Sequence, residues 1–238
     1  MTVLTFTIPR KKLALVLGIA AAGLCLLSIS LKALEWELGT NSTYWFYHTV
    51  RMFNVNREGN IPTWYSSLLL LTCVILLLIV THIKRQQQER YIAHWLLLAL
   101  VFFYLSIDEA AALHEKLTIP FQENESLNVR GYLYFAWVLV GIPFVLFMSL
   151  VYARFLLHLP SQTRRNFLLA AALYVGGAVV VESISANQWY LNDGTSLTFS
   201  AIGTVEEFCE MLGVIVFIYG LLTYISSYVE QVEVHLKA

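Results

Sequence analysis

Residues Thr63 to Ile83 read TWYSSLLLLTCVILLLIVTHI and contain no aspartate, glutamate, lysine or arginine. An α-helix rises about 1.5 Å per residue, so roughly twenty apolar residues cross the hydrocarbon core of a bilayer. A buried helix of a soluble protein is usually shorter and carries charged residues on one face. The stretch is therefore predicted to be a transmembrane helix.

The rest of the chain repeats this pattern. The other apolar blocks run from about Leu13 to Leu34, Tyr91 to Leu113, Gly131 to Leu157, Phe167 to Gln188 and Phe199 to Tyr228. Of the 238 residues, 58% are hydrophobic and only 13% are charged, and the mean hydropathy is +0.66. This composition excludes a soluble enzyme, a nucleic-acid-binding protein and a disordered chain. We expect an all-α fold, with residues 1–238 forming a single transmembrane domain of six helices.

The first block resembles a secretory signal peptide, because Arg10, Lys11 and Lys12 precede it. However, the block is longer than the apolar core of a signal peptide, and no clear cleavage site of small residues follows it. We therefore expect the first block to stay attached as a transmembrane helix. With six helices, both termini lie on the same side of the membrane.

The charges between the blocks predict the orientation of the chain. Ten of the fifteen basic residues fall on the side that holds the termini: Arg10, Lys11, Lys12, Lys84, Arg85, Arg90, Arg154, Arg164, Arg165 and Lys237. Short cytoplasmic loops are enriched in lysine and arginine, so both termini are predicted to be cytoplasmic. Thirteen of the sixteen acidic residues fall on the outer side. We expect a multi-pass protein of the plasma (inner) membrane.

The longest outer connection, residues 39–62, contains an aromatic segment with one polar side. This segment, YWFYHTVRMF at residues 44–53, is predicted to be a short amphipathic helix in the membrane interface. Pro62 is predicted to lie at the start of the next helix, where its missing N–H does no harm. Glu58 lies just before that helix and is expected to close the candidate site from above.

Ionisable side chains inside transmembrane helices are costly, so each one is a hypothesis for a functional site. In this chain they concentrate near the outer ends of the third, fifth and sixth predicted helices. The candidate metal-binding residues are Asp108, Glu115, Glu206, Glu210, His114, Glu207, Glu182, Glu109 and Glu58. For Glu182 a second interpretation stays open, in which its carboxyl group only hydrogen-bonds an interfacial tryptophan or tyrosine.

The third predicted helix ends in SIDEAAALHE at residues 106–115. On a straight helix, with about 100° between residues, Asp108 and Glu115 are nearly eclipsed, whereas Glu109 and His114 lie on opposite sides of them. We therefore expect Asp108 and Glu115 to face the centre of the bundle. Either Glu109 or His114, but not both, is then expected to join them as a direct ligand.

The sixth predicted helix places Glu206, Glu207 and Glu210 on one face. Carboxylates this close either become protonated or bind a cation, and we expect a mixture of the two. Carboxylates combined with an imidazole are typical ligands of iron, manganese or zinc. The sequence therefore predicts a divalent metal site, with His114 as its best nitrogen ligand.

The inner halves of the predicted helices contain almost no ionisable residue, which disfavours a secondary transporter with a site reachable from both sides. We expect a metalloenzyme that acts on a lipid or another membrane-soluble substrate, either as a zinc hydrolase or as a di-metal oxidoreductase. Its catalytic residues are not identified by the sequence. Two alternatives stay open: a metal-free component of a proton or cation pathway, and a structural or assembly protein. Membrane lipids are the expected partners, and nucleic acid is not.

Overall fold

The regular elements of the chain are helices throughout the part that the structure describes. The computed structural model describes residues 9–39, 43–123, 127, 129–192, 194 and 196–228. The helices are α1 (Arg10–Leu38), α2 (Tyr44–Phe53), α3 (Ile61–Gln86), α4 (Ile92–Ala111), α5 (Leu113–Glu123), α6 (Val138–His158), α7 (Ser161–Val175), α8 (Glu182–Asn192) and α9 (Leu197–Ile225). A 3₁₀ turn precedes α6 at Gly131–Leu133, and a π-helical segment, Gly176–Val181, joins α7 to α8.

Within the described residues, six helices are long and apolar enough to cross a membrane: α1, α3, α4, α6, the continuous helix Ser161–Asn192, and α9. Each of them overlaps one of the six predicted blocks, so the prediction of an all-α chain with six such helices is confirmed. The predicted interfacial segment also forms a helix, α2. The cytoplasmic placement of the termini stays a prediction, and Lys237, on which it partly rests, lies outside the described residues.

Helix α9 lies at the centre of the bundle, where it packs against α1, α3, α7, α8 and the π-helical segment. Small residues permit this close packing. A β-carbon at Gly213 would lie 2.7 Å from the backbone nitrogen of Tyr174 in α7, and one at Gly220 would lie 3.1 Å from the ring of Phe167. Glycine at these two positions lets α7 and α9 approach each other closely.

Helix α6 lies at the edge of the bundle, and its backbone contacts are mainly with α7 and the π-helical segment. Side chains join it to α4 near one end. The hydroxyl group of Tyr152 donates a hydrogen bond of 2.7 Å to the carbonyl oxygen of His94, and the ring of Phe155 packs on that of Trp95 with 4.8 Å between centroids. Above these contacts, α4 and α6 form two walls of a cavity.

The two ends of the bundle differ in their charge. We call the end that carries α2, α5 and α8 the carboxylate end, and the end that carries the α3–α4 and α6–α7 connections the basic end. Lys84 at the basic end is only 1% exposed, and its Nζ lies 2.9 Å from a carboxylate oxygen of Glu89 and 3.4 Å from the centroid of the Tyr228 ring. These contacts satisfy the buried ammonium group.

Candidate functional site

The segment after α4 departs from the predicted straight helix. Helix α4 ends at Ala111, and Ala112 adopts a left-handed conformation with φ 53° and ψ 45° before α5 begins. Asp108 spans this break, because Oδ1 accepts a hydrogen bond of 2.7 Å from the backbone N–H of His114 and Oδ2 lies 3.0 Å from Nδ1 of the same residue. The break therefore turns His114 back toward Asp108.

This bend corrects the expectation for the acidic segment. The straight helix assumed for residues 106–115 is wrong, because α4 ends at Ala111, and Asp108, Glu109, His114 and Glu115 all line the same cavity. Which of Glu109 and His114 would bind a metal directly stays a prediction. The prediction assumed a straight helix, on which the two side chains diverge. In the structure the side chain of Ser66 in α3 also lies close to the carboxyl group of Glu109.

Helix α9 contributes Glu206, Glu207 and Glu210, which all line the cavity. The side chain of Ser185 in α8 lies close to the carboxyl group of Glu206. The π-helical segment packs directly on this face, since a β-carbon at Gly177 would lie 2.9 Å from the backbone oxygen of Glu206. Glycine at position 177 therefore allows the close approach that brings α8 beside α9.

Glu182 is the first residue of α8 and is 8% exposed. A π-helical turn holds more residues than an α-helical turn, so it rotates everything that follows it, and such segments are frequent at functional sites. The indole N–H of Trp137 donates a hydrogen bond of 2.7 Å to Oε1 of Glu182. This is the kind of tryptophan contact that the second interpretation of Glu182 expected. Glu182 nevertheless lines the cavity with the other carboxylates.

Glu58, in the connection between α2 and α3, faces His114 at 3.9 Å between Oε1 and Nε2. Its Oε2 atom is buried and has no hydrogen-bond partner among the described residues. Burial raises the pKa of Glu58 to about 8, although the neighbouring imidazole of His114 opposes this shift. Its surroundings therefore favour the protonated form of this carboxyl group.

His114 is the histidine that lines the cavity, and its ring packs edge-to-face with that of Trp137, with 5.3 Å between centroids. Burial opposes the charged ring, but the hydrogen bond and charge of Asp108, with the charges of Glu182 and Glu58, raise the pKa of His114 to about 9. The Asp108–His114 pair can therefore hold a proton at the mouth and pass it to a neighbouring group.

The cavity has a volume of about 990 Å³, and all nine predicted site residues line it. Eight of them are carboxylic acids, which places an acidic mouth at the carboxylate end. The lysine and arginine side chains that line the same cavity are Lys32 and Arg57. Lys32 is already paired, since its Nζ lies 2.7 Å from Glu35. Acidic groups thus strongly outnumber basic groups at the mouth.

Below the mouth the cavity continues between the helices with a mostly apolar lining. Its deepest lining residues include Leu98 of α4, Leu156 of α6, Phe167 of α7 and Phe217 of α9. The sequence reasoning missed this half because apolar side chains in a transmembrane helix look alike whether they face lipid, another helix or a cavity. Only the small residues of α7, such as Ala171, weakly indicate in the sequence that space is left beside this helix.

No three histidine, cysteine, aspartate or glutamate side chains in the described part of the chain are grouped closely enough to hold a metal ion. The predicted ligands share one cavity, but they are distributed around its mouth on α4, α5, α8, α9 and the α2–α3 connection. The iron, manganese or zinc site therefore stays a prediction.

Residues 14–225 match the family described as a domain of unknown function (DUF8692), and the chain belongs to this family. No curated protein and no solved structure matches the chain. The matched region includes every residue that lines the cavity, from Lys32 to Phe217. The family match thus spans both the acidic mouth and the apolar depth.

Proposed function

We propose that this member of the family is a membrane protein that binds an amphiphilic molecule of the bilayer. The polar part of the molecule lies among the carboxylic acids of the mouth, and its apolar part fills the depth between α4, α6 and α7. The observation that carries the proposal is the single continuous cavity, acidic at one end and apolar at the other, inside a bundle of apolar helices.

The size of the cavity supports this class of ligand. A volume of about 990 Å³ lies at the top of the range for small-molecule sites and far exceeds the space that one ion needs. Along α4 the lining runs from Leu98 to Glu109, which are eleven residues apart, or about 16 Å of helix. Half of the hydrocarbon core of a bilayer measures about 15 Å. The cavity thus matches the depth of one leaflet.

The apolar lining at the deep end of the cavity and the open space at its mouth give less support to the two alternatives, a proton or cation pathway and a structural or assembly protein. A proton or cation pathway needs polar groups that continue toward the other side of the membrane, whereas the deepest lining side chains, such as Leu98, Leu156 and Phe217, are apolar. A purely structural role for the carboxyl groups needs no open space beside them, yet a cavity of about 990 Å³ adjoins them.

A second candidate function, metal-dependent catalysis at the mouth, is favoured by the charge balance of the lining. Eight carboxylic acids face Lys32 and Arg57, and a divalent cation would offset their charge. We propose iron, manganese or zinc, held by a subset of Asp108, Glu115, Glu206, Glu210 and His114. Zinc would support hydrolysis of the bound amphiphile, and two iron or manganese ions would support its oxidation or reduction.

A matched pair of substitutions in α7 tests the binding function. Ala171 and Ala172 are neighbours and both are exposed, but only Ala171 lines the cavity. We expect the parent and the Ala172→Trp variant, purified in mild detergent, to retain the same amphiphile in comparable amount, as measured by mass spectrometry of extracted lipids. The Ala171→Trp variant should lose it, because the indole fills the apolar half. Equal amounts in all three proteins would show only surface lipid and contradict the proposal.

Elemental analysis tests the second candidate separately. Protein purified without chelator should contain about one or two equivalents of iron, manganese or zinc, and a variant with Glu206→Gln and Glu210→Gln should contain little, because amide groups are poor ligands for these ions. Absence of stoichiometric metal from the parent would overturn the metal-dependent candidate. The binding function would still stand on the result for Ala171→Trp.

A further inference from the structure

The apolar half of the cavity ends on a cluster of interlocking aromatic rings. Trp95 packs on Phe155 with 4.8 Å and on Phe167 with 6.1 Å between ring centroids, and Phe167 packs on Phe217 with 4.5 Å. Each of these four side chains is at most 6% exposed. We call this cluster the aromatic floor. Close-packed protein interiors deform little, so this buried cluster is a rigid end to the cavity.

A hydrogen bond fixes the helices on either side of the aromatic floor. The hydroxyl group of Tyr152 in α6 donates to the carbonyl oxygen of His94 in α4, and Tyr91 contacts both Phe155 and His158 through their rings. These contacts join α4 and α6 at the basic end, where their separation would otherwise let the cavity continue. An apolar tail that extends along the cavity from the carboxylate end therefore meets the floor.

From these contacts we infer that the aromatic floor limits the length of the hydrocarbon tail that the cavity accepts. The ligand is then an amphiphile with a hydrocarbon tail no longer than the distance from the acidic mouth to the floor, about the depth of one leaflet. This inference rests on the proposed binding function. It adds the class of ligand and names the residues that determine its specificity.

Two lining residues lie where the tail would end. Leu98 is the lining residue of α4 nearest the basic end, and Leu156 has the same place on α6. Each has a leucine neighbour that does not line the cavity: Leu97 is 39% exposed and Leu157 is 71% exposed. These neighbours provide controls with the same chemical change on the same helix. A single methylene more or less in an apolar pocket changes binding roughly 10-fold or more.

The test uses alkyltrimethylammonium ions as probes, because their positive headgroup suits the acidic mouth. Tails of about 8 to about 18 carbons bracket the depth of a leaflet. Each probe is added at the same low mole fraction to micelles of a mild detergent, and native mass spectrometry gives the bound fraction. For the parent we expect a limiting length beyond which the bound fraction falls about 10-fold. Leu98→Ala and Leu156→Ala should each move the limit to longer tails, and Leu98→Phe should move it to shorter ones.

The outcomes separate this inference from the function on which it rests. The Leu97→Ala and Leu157→Ala variants should keep the limit of the parent. The inference would be overturned if the parent bound tails of every length equally. It would also be overturned if neither Leu98→Ala nor Leu156→Ala moved the limit. Both results would leave the binding function intact. Absence of binding at every length in the folded parent would overturn both. A thermal unfolding transition shows that each variant is folded. Because Leu98 and Leu156 are tested separately, the inference stays testable if one of the variants does not fold.

Discussion

Helices α6 and α9 are equally apolar but differently buried. The most apolar stretch of each has a mean hydropathy of 2.0, yet half of that stretch is buried in α9 and only 17% in α6. Hydropathy therefore indicates which helices are apolar enough to cross a membrane, but it does not indicate how closely they pack. In a bilayer the lipid tails are as apolar as leucine, so close packing depends on shape and on polar contacts.

The difference lies in the small residues and in what faces them. A β-carbon at Gly213 of α9 would contact the backbone of α7, whereas one at Gly141 of α6 would contact Trp137, four residues earlier in the chain. Gly213 thus lets α7 and α9 approach each other, whereas Gly141 makes room for the side chain of Trp137 at the start of its own helix. The space left between α6 and α4 becomes the cavity.

The largest expected effect is on the packing of α9. The Gly213→Ala substitution places a methyl group 2.7 Å from the backbone nitrogen of Tyr174, so we expect a loss of stability of about 1–3 kcal/mol. The Gly23→Ala substitution in α1 is the control, because a β-carbon there meets nothing within 4 Å. Thermal unfolding in the same detergent compares the two. Equal stability of the two variants would show that the contact between α7 and α9 is not close.

The second expected effect concerns the polar contact that holds the start of α6. Trp137→Phe removes the indole N–H and leaves the carboxyl group of Glu182, which is 8% exposed, without that donor. The loss of a partner for a buried polar group costs about 1–3 kcal/mol. The Trp64→Phe substitution is the control, since Trp64 is 65% exposed. Unfolding at the same temperature for both variants would contradict the role of this hydrogen bond.

A third prediction concerns the pH dependence of stability. The effect is smaller because the side chains of His114 and Asp108 are 26% and 13% exposed to water. The folded pKa of His114, about 9, lies above its ordinary value of 6.5. The stabilisation by the protonated ring is therefore complete below pH 6.5 and is lost as the pH rises through about 9. The stability of the parent relative to a His114→Gln variant should decline over this window. A difference that stays constant or grows would contradict the pairing of a protonated His114 with Asp108.

The smallest expected effect is at the break between α4 and α5. Ala112 has φ 53°, a conformation that costs an alanine about 1–2 kcal/mol, whereas glycine adopts it freely. Glycine also gains freedom in the unfolded chain, so we expect Ala112→Gly to stabilise the protein by only about 0.5 kcal/mol. The Ala110→Gly substitution within α4 should instead destabilise it. Chemical unfolding of the two variants gives the sign, and destabilisation by both would indicate a straight helix at Ala112.

The six long helices were predictable because about twenty apolar residues admit few other structures in a membrane protein. The gathering of the acidic residues was also predictable. A charged side chain in a bilayer must face the interior of the bundle, so Glu206, Glu207 and Glu210 on one face indicate where that interior lies. All nine candidate residues do line one cavity.

The remaining features depend on details that leave little trace in the sequence. The run from Ala110 to Ala112 favours a continuous helix, and the hydrogen bonds from His114 to Asp108 accompany its interruption at Ala112. The π-helical segment has no signal beyond Gly176 and Gly177. The apolar half of the cavity lies where α6 does not pack closely on α4. The sequence does not indicate this place, because α6 and α9 have the same mean hydropathy although only α9 is closely packed.

The most direct test of the central claim is a structure determined with an amphiphile that carries bromine at the end of its tail. The account predicts one bromine site between α4, α6 and α7, above the aromatic floor and near Leu98 and Leu156, with the headgroup beside the carboxylic acids of the mouth. Bromine found only on the outer surface of the bundle, with the cavity free of the amphiphile, would contradict it.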